Sequence, residues 1–135
     1  MNTNIINFTN LDSATQQDNV FIVENEADGY AFQSVGAKAL CIETYADSVN
    51  QLLNHIANNV TIKCQIVFAF NSAKTSILIS NILADDYKYY SNLRYYFANI
   101  KELYLGLSSA SEACSQNRDA FLNQIRNITP EKIYD

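Results

Sequence analysis

Histidine is nearly absent from this chain of 135 residues: there is one, His55. Cysteine is scarce and odd in number, with Cys41, Cys64 and Cys114 far apart. A zinc site needs clustered thiolate or imidazole ligands and a disulfide frame needs pairs. The three thiols therefore read as buried groups of a reducing, cytoplasmic compartment. Basic clusters are missing too. Nine Lys and Arg residues are scattered through a chain of net charge −5 and pI about 4.7. That argues against strong stand-alone binding to nucleic acid, which needs several phosphate contacts. No apolar run approaches the roughly 18 residues of a membrane span. The opening MNTNIINFTN has neither the basic n-region nor the apolar h-region of a signal peptide. There is no glycine-rich phosphate loop and no nucleophile elbow. The Asn-x-Thr sequons at Asn7, Asn59 and Asn127 are accidents of an Asn-rich composition.

What is present is an apolar content of 48% with 17% charged residues, which specifies a folded chain rather than a disordered one. The length suits one domain that buries roughly two-thirds of its unfolded surface. VFIV (Val20–Val23) is a short apolar run and predicts a first strand. Ala27 to Val35 fits a short helix, stopped by Gly36. Ala39 to Ile42 predicts a second strand. Asp47 or Ser48 caps a helix whose stripe is Val49, Leu52, Leu53 and Ile56 and which ends at Asn58-Asn59. Ile62 to Phe70 predicts a third strand, buried on both faces. Ser72 caps a helix with Leu78, Ile79, Ile82 and Leu83 inward, ended by Asp85-Asp86. Leu93 to Phe97 predicts a fourth strand and Leu103 to Leu107 a weaker strand or extended segment. Asn117 to Ile128 predicts a last amphipathic helix with Phe121, Ile125 and Ile128 in line, stopped by Thr129-Pro130. Strands alternating with helices mean an α/β domain on a mostly parallel sheet, with helices on both faces and right-handed crossovers. The polar residues 1–18 form an arm, 19–128 the domain and 129–135 a tail.

In such a sheet the first and third strands are neighbours at the switch point, and ligands bind at the loops leaving them. The first loop carries Glu24, Glu26 and Asp28. An acidic cluster there suits a hard cation such as Mg²⁺. The competing reading is that Glu26 and Asp28 are solvated acids of a first helical turn, favoured by the helix macrodipole. The loop leaving the third strand, Asn71-Ser72-Ala73-Lys74, holds no carboxylate, histidine or thiol.

The stretch VFIVENEADGYAFQSVGAKALCI resembles the opening of a Toprim domain, the catalytic α/β module of bacterial primases, topoisomerases and related nucleases. That opening is an apolar strand, Glu-Gly-x-x-Asp, a short helix, a glycine and a second apolar strand. Glu24 and Asp28 match its acids, Gly36-Ala37-Lys38-Ala39 matches the linking turn, and Asn25 replaces the glycine. YLGLSSASEACSQNRDAFLNQI is similar to the Lys-Asp-x-Asn-Glu-x-Leu … Arg-x-x-Phe ending of primase-like Toprim proteins of phages and conjugative elements. Glu112, Arg118 and Phe121 hold its positions, and Ser108, Ser109 and Ser111 stand where Lys, Asp and Asn would be. The resemblance spans residues 19 to 128 and implies a Toprim-like, Rossmann-like fold on a four-stranded sheet.

In that family the third strand ends in Asp-x-Asp, and those carboxylates hold metal ions with the first-motif Glu. The aligned triplet here is Asn71-Ser72-Ala73. Asn offers one neutral oxygen and Ala none. The resemblance thus implies a degenerate site: Glu24 as a vestigial general acid/base, with Glu24, Glu26, Asp28 and Asn71 as a vestigial metal set of weak or no affinity. It implies a module that is no longer an enzyme and takes no cofactor. Such a module binds or scaffolds in DNA replication or processing, with a replication protein such as a helicase or relaxase as partner. Two alternatives stay open. One is a weak Mg²⁺-dependent phosphoryl-transfer enzyme completed by a partner chain. The other is a tyrosine-rich single-strand binder. The tract DDYKYYSNLRYYFANIKELY carries six of nine tyrosines interleaved with Lys88, Arg94 and Lys101, a pattern that can stack bases or simply pack a strand. Lys74, Arg94 and Lys101 are the candidate nucleic-acid contacts. His55 reads as a surface or rim histidine rather than a catalytic base.

Overall fold

The computed structural model describes residues 18–42, 50–52, 54–55, 64–71, 76–81, 95–127 and 131–132. Strand β1 (Asn19–Val23) leads into helix α1 (Glu26–Ser34) and strand β2 (Lys38–Cys41). Helical residues at 50–52 and 54–55 precede β3 (Gln65–Phe68), and helical residues 76–81 precede β4 (Tyr95–Phe97). Helices α2 (Ile100–Leu103), α3 (Ala110–Gln116) and α4 (Arg118–Asn127) follow, and β5 (Glu131–Lys132) closes the order.

The strands lie in the order β2-β1-β3-β4-β5. The first four are parallel, with Phe21 opposite both Ala39 and Val67, and Val67 opposite Tyr96. The chain leaves β1 towards β2 on one side and returns to place β3 on the other, so the switch point lies between β1 and β3. Right-handed crossovers put α1 on one face and the helical residues of the next two connections on the opposite face. The burial pattern agrees. Phe21, Val23, Ala39, Cys41, Val67 and Ala69 form one cluster with Ala31 and Phe32 of α1, Leu103 and Tyr104 at the end of α2, Ala110 and Ala113 of α3, and Phe121 of α4. Phe32 stacks on Phe21 at 4.6 Å between ring centroids and meets Phe121 at 5.2 Å. The alternate strand residues Val20, Ile22, Leu40 and Ile66 are buried as well, as are Leu52 and Ile79 of the crossover segments. Burial on both faces is what makes these strands read as unbroken apolar runs.

Helix α1 ends as its glycine predicts. Gly36 takes φ +86°, its N–H reaches the Gln33 carbonyl, and the Ala37 N–H reaches that of Phe32, which is a Schellman closure.

Four expectations need correction. Leu103 to Leu107 is not a strand. Asn99 caps α2 by accepting from the Glu102 N–H, and the chain then closes with Gly106 N–H on the Lys101 carbonyl and Leu105 N–H on that of Glu102. Leu105 sits at φ 59°, the left-handed position usually left to glycine. Its apolar neighbours suggest a strand, but Leu103 and Tyr104 are consecutive and both buried, which strand alternation over one buried face does not give. Secondly, a separate helix, α3, precedes the last one. Asn117 divides them, ending α3 and accepting from the Ala120 N–H at the start of α4. Thirdly, the tail is not free of the domain: Glu131–Lys132 pairs antiparallel with β4, as a fifth strand. Lastly, helix α1 begins at Glu26, and β2 runs Lys38–Cys41. The expected caps Asp47, Ser48 and Ser72 and stops Asn58-Asn59, Asp85-Asp86 and Thr129-Pro130 lie outside the described residues, as does the arm up to residue 17.

Candidate functional site

Where β1 and β3 end side by side, three stretches of chain meet. Asn25, in the place of the glycine of the resembling motif, caps α1. Its side-chain oxygen accepts from the Asp28 N–H at 2.9 Å, while its amide nitrogen donates back to Asp28 Oδ2 at 3.3 Å. This reciprocal pair is a variant of the capping box in which the Asn25 side-chain amide, rather than the N-cap backbone N–H, donates to the third residue of the helix. It turns the Asp28 side chain inward, and Asp28 is 1% exposed.

Asn71 approaches from the end of β3. Its backbone N–H donates to Glu24 Oε1 at 2.5 Å, and its side-chain amide donates to Asp28 Oδ2 at 3.3 Å. The third stretch is the start of α3. Ser109 caps that helix by accepting from the Glu112 N–H at 3.0 Å, and the Ser111 N–H donates to Asp28 Oδ1 at 2.9 Å. First-turn N–H groups have no partner within their own helix, and here a buried carboxylate supplies one. Glu112 folds back to accept from the Ser108 N–H and hydroxyl, both at 2.9 Å. The Ser108 backbone bond first, and its hydroxyl second, hold the exposed Glu112 carboxyl below its ordinary range.

Tyr104 supports the junction from beneath. It is fully buried and its hydroxyl donates to the Ala69 carbonyl at 2.7 Å, two residues before Asn71. Burial first, then the negative charges of Asp28 and Glu24, push the phenol far above its ordinary range, so it stays a neutral donor. Removing that hydroxyl leaves a buried carbonyl without its donor. Tyr104→Phe is therefore expected to lower stability by about 1–2 kcal/mol in a urea melt, with an unchanged m-value because the fold is kept.

The structure thus brings Glu24, Asp28 and Asn71 together. Glu26 stands apart: it is exposed on the first turn of α1, as the solvated-acid reading expects, whereas Asp28 is not solvated. Lys101 is exposed on α2. Lys74 and Arg94 lie outside the described residues, together with Ser72, Ala73 and most of the tyrosine tract. Tyr95 and Tyr96 lie on β4; both pair with β3, and Tyr96 also pairs with β5. His55 is half-buried, Cys41 and Cys64 are buried and Cys114 is half-buried. Among the described residues no group of three or more His, Cys, Asp or Glu side chains could hold a metal ion, and no helix is long and apolar enough to cross a membrane.

Tyr104 escapes a reading of motifs, and Asn25 and Ser111 figure there only as departures from the resembling pattern. Asn25 and Ser109 each announce a helix start, the latter through Ser109-x-x-Glu112. Ser111 contributes only a backbone group, which leaves no trace in side-chain type. No protein-family model, no curated protein and no solved structure matches this chain.

Proposed function

We propose that this chain is a Toprim-like module in which a metal-dependent phosphoryl-transfer centre has become a hydrogen-bonded junction. On this reading it serves as a binding or scaffolding component in DNA replication or processing on a phage or mobile element, beside a helicase or relaxase. One observation carries the reading. At the end of β3, Asn71 donates one N–H to Glu24 and another to Asp28. A carboxylate at that position would face two others and need a cation between them. The side-chain amide instead gives Asp28 a proton, while the backbone N–H, which does not depend on the side chain, serves Glu24. The acidic loop after β1 therefore has a role that needs no metal.

The chemistry follows from the donor set. Glu24 is engaged by the Asn71 backbone, and Asp28 accepts from Asn71, Asn25 and Ser111. A cation entering here would have to displace those donors and would gain only two carboxylates. Titration calorimetry with Mg²⁺ and Mn²⁺ at millimolar concentration is expected to give no stoichiometric heat. A stoichiometric site lost in Glu24→Gln would overturn the reading in favour of a metal-dependent enzyme. Tight, strongly salt-dependent binding to a single-stranded oligonucleotide would overturn it in favour of a single-strand binder.

A further inference from the structure

Among the described residues Asp28 is the single buried charged side chain, and its two oxygens serve different parts of the molecule. Oδ1 accepts from Ser111 at the start of α3, and Oδ2 accepts from Asn71 at the end of β3 and from Asn25. Both outer parts reach solvent. Ser108 and Glu112 are exposed on the turn that starts α3, and Asn71 is exposed on the sheet edge. The geometry points to Asp28 as a coupling element between these two surfaces. A partner that presses on the 108–112 turn alters the hydrogen bonding of Asn71, and an occupant of the β1/β3 edge is felt in return at the turn.

The reason lies in the cost of leaving a buried carboxylate underpaired. If the turn withdraws the Ser111 N–H, Asp28 cannot turn to water in its place. It must follow the turn or lean further on Asn71 and Asn25, and either response changes the anchoring of Asn71. The turn has its own closure, made by Ser109 on the Glu112 N–H and by Glu112 on Ser108. Those residues form no hydrogen bond with Asn71 itself, and the hydrogen-bonded route from them to it runs through Asp28. The inference stands independently of the functional reading above.

Residue-resolved amide exchange on the full chain tests it. Ser109→Ala removes the cap of α3 and Glu112→Ala removes the brace on Ser108. Each is expected to speed exchange at the Asn71 backbone amide severalfold. In an Asp28→Ala background the same changes should leave Asn71 exchange where that background sets it. Asn71→Ser, which keeps the backbone amide but cuts the side-chain link to Asp28, is the second background and should likewise abolish the response. Asn71 exchange unaltered by both turn variants would overturn the coupling. So would an unchanged severalfold response in Asn71→Ser, because the signal would then not travel through Asp28.

Discussion

Asp28→Ala is expected to destabilise the protein by about 3 kcal/mol, a cost set by unsatisfied donors rather than by lost apolar contact. Truncation removes the common acceptor of the Ser111 N–H and the side-chain amides of Asn71 and Asn25; the two amides are on exposed residues and can turn to water, so the cost falls mainly on Ser111. Ser111 has the fewest ways to compensate, because a backbone N–H in a first helical turn cannot rotate away. At this chain length such a loss corresponds to roughly 10 °C in Tm. Asp28→Asn separates charge from shape. The amide keeps one acceptor oxygen for Ser111 but turns an NH₂ towards two other donors, so it should fall between wild type and Ala. The same pair made at Glu26, exposed on the same helical turn, should change stability little. Thermal and urea melts of the four variants give the ranking. Equal effects at positions 26 and 28 would mean that the junction contributes no stability.

That contrast shows how far this chain can be read before folding. Glu26 and Asp28 are two acids in one helical turn, and composition cannot tell them apart. What separates them is a cap: Asn25 pairs with the third residue of α1 and draws Asp28 inward, while Glu26 stays in solvent. The strands were legible because VFIV, ALCI and IVFAF are apolar runs buried on both faces, and their neighbour relation followed from parallel crossover rules. Gly36 was legible because a left-handed closing residue has few alternatives. Leu105 was not, since the same conformation is taken there by a leucine. Helix α3 escaped because only Ala110 and Ala113 of its seven residues are buried. Two alanines make no apolar stripe. β5 escaped because two residues, Glu131 and Lys132, carry no periodicity at all.

Restoring the acids of the resembling motif should create a stabilising response to metal that the wild type lacks. Asn71→Asp places a carboxylate where an amide now donates to Asp28 Oδ2 at 3.3 Å. Ala73→Asp, at a position outside the described residues, adds the second acid of the pattern. In metal-free buffer the double variant should be less stable than the wild type, because a hydrogen bond is exchanged for like charges at short range. Each such repulsion is worth about 1–4 kcal/mol between water and an intermediate dielectric. The backbone N–H of residue 71 still donates to Glu24, so the loop stays at the edge of β1 and the new acid stays within reach of Asp28. Mg²⁺ then binds the folded form alone and raises stability by mass action, about 2.7 kcal/mol when its concentration is a hundredfold above Kd. The wild type, whose acids are already paired with N–H donors, should gain little. Thermal melts of both proteins with and without Mg²⁺ make the comparison. Equal shifts would mean that the β1 and β3 loops never formed a cation site, and the degenerate-centre reading would fall, while the junction at Asp28 would keep its structural role.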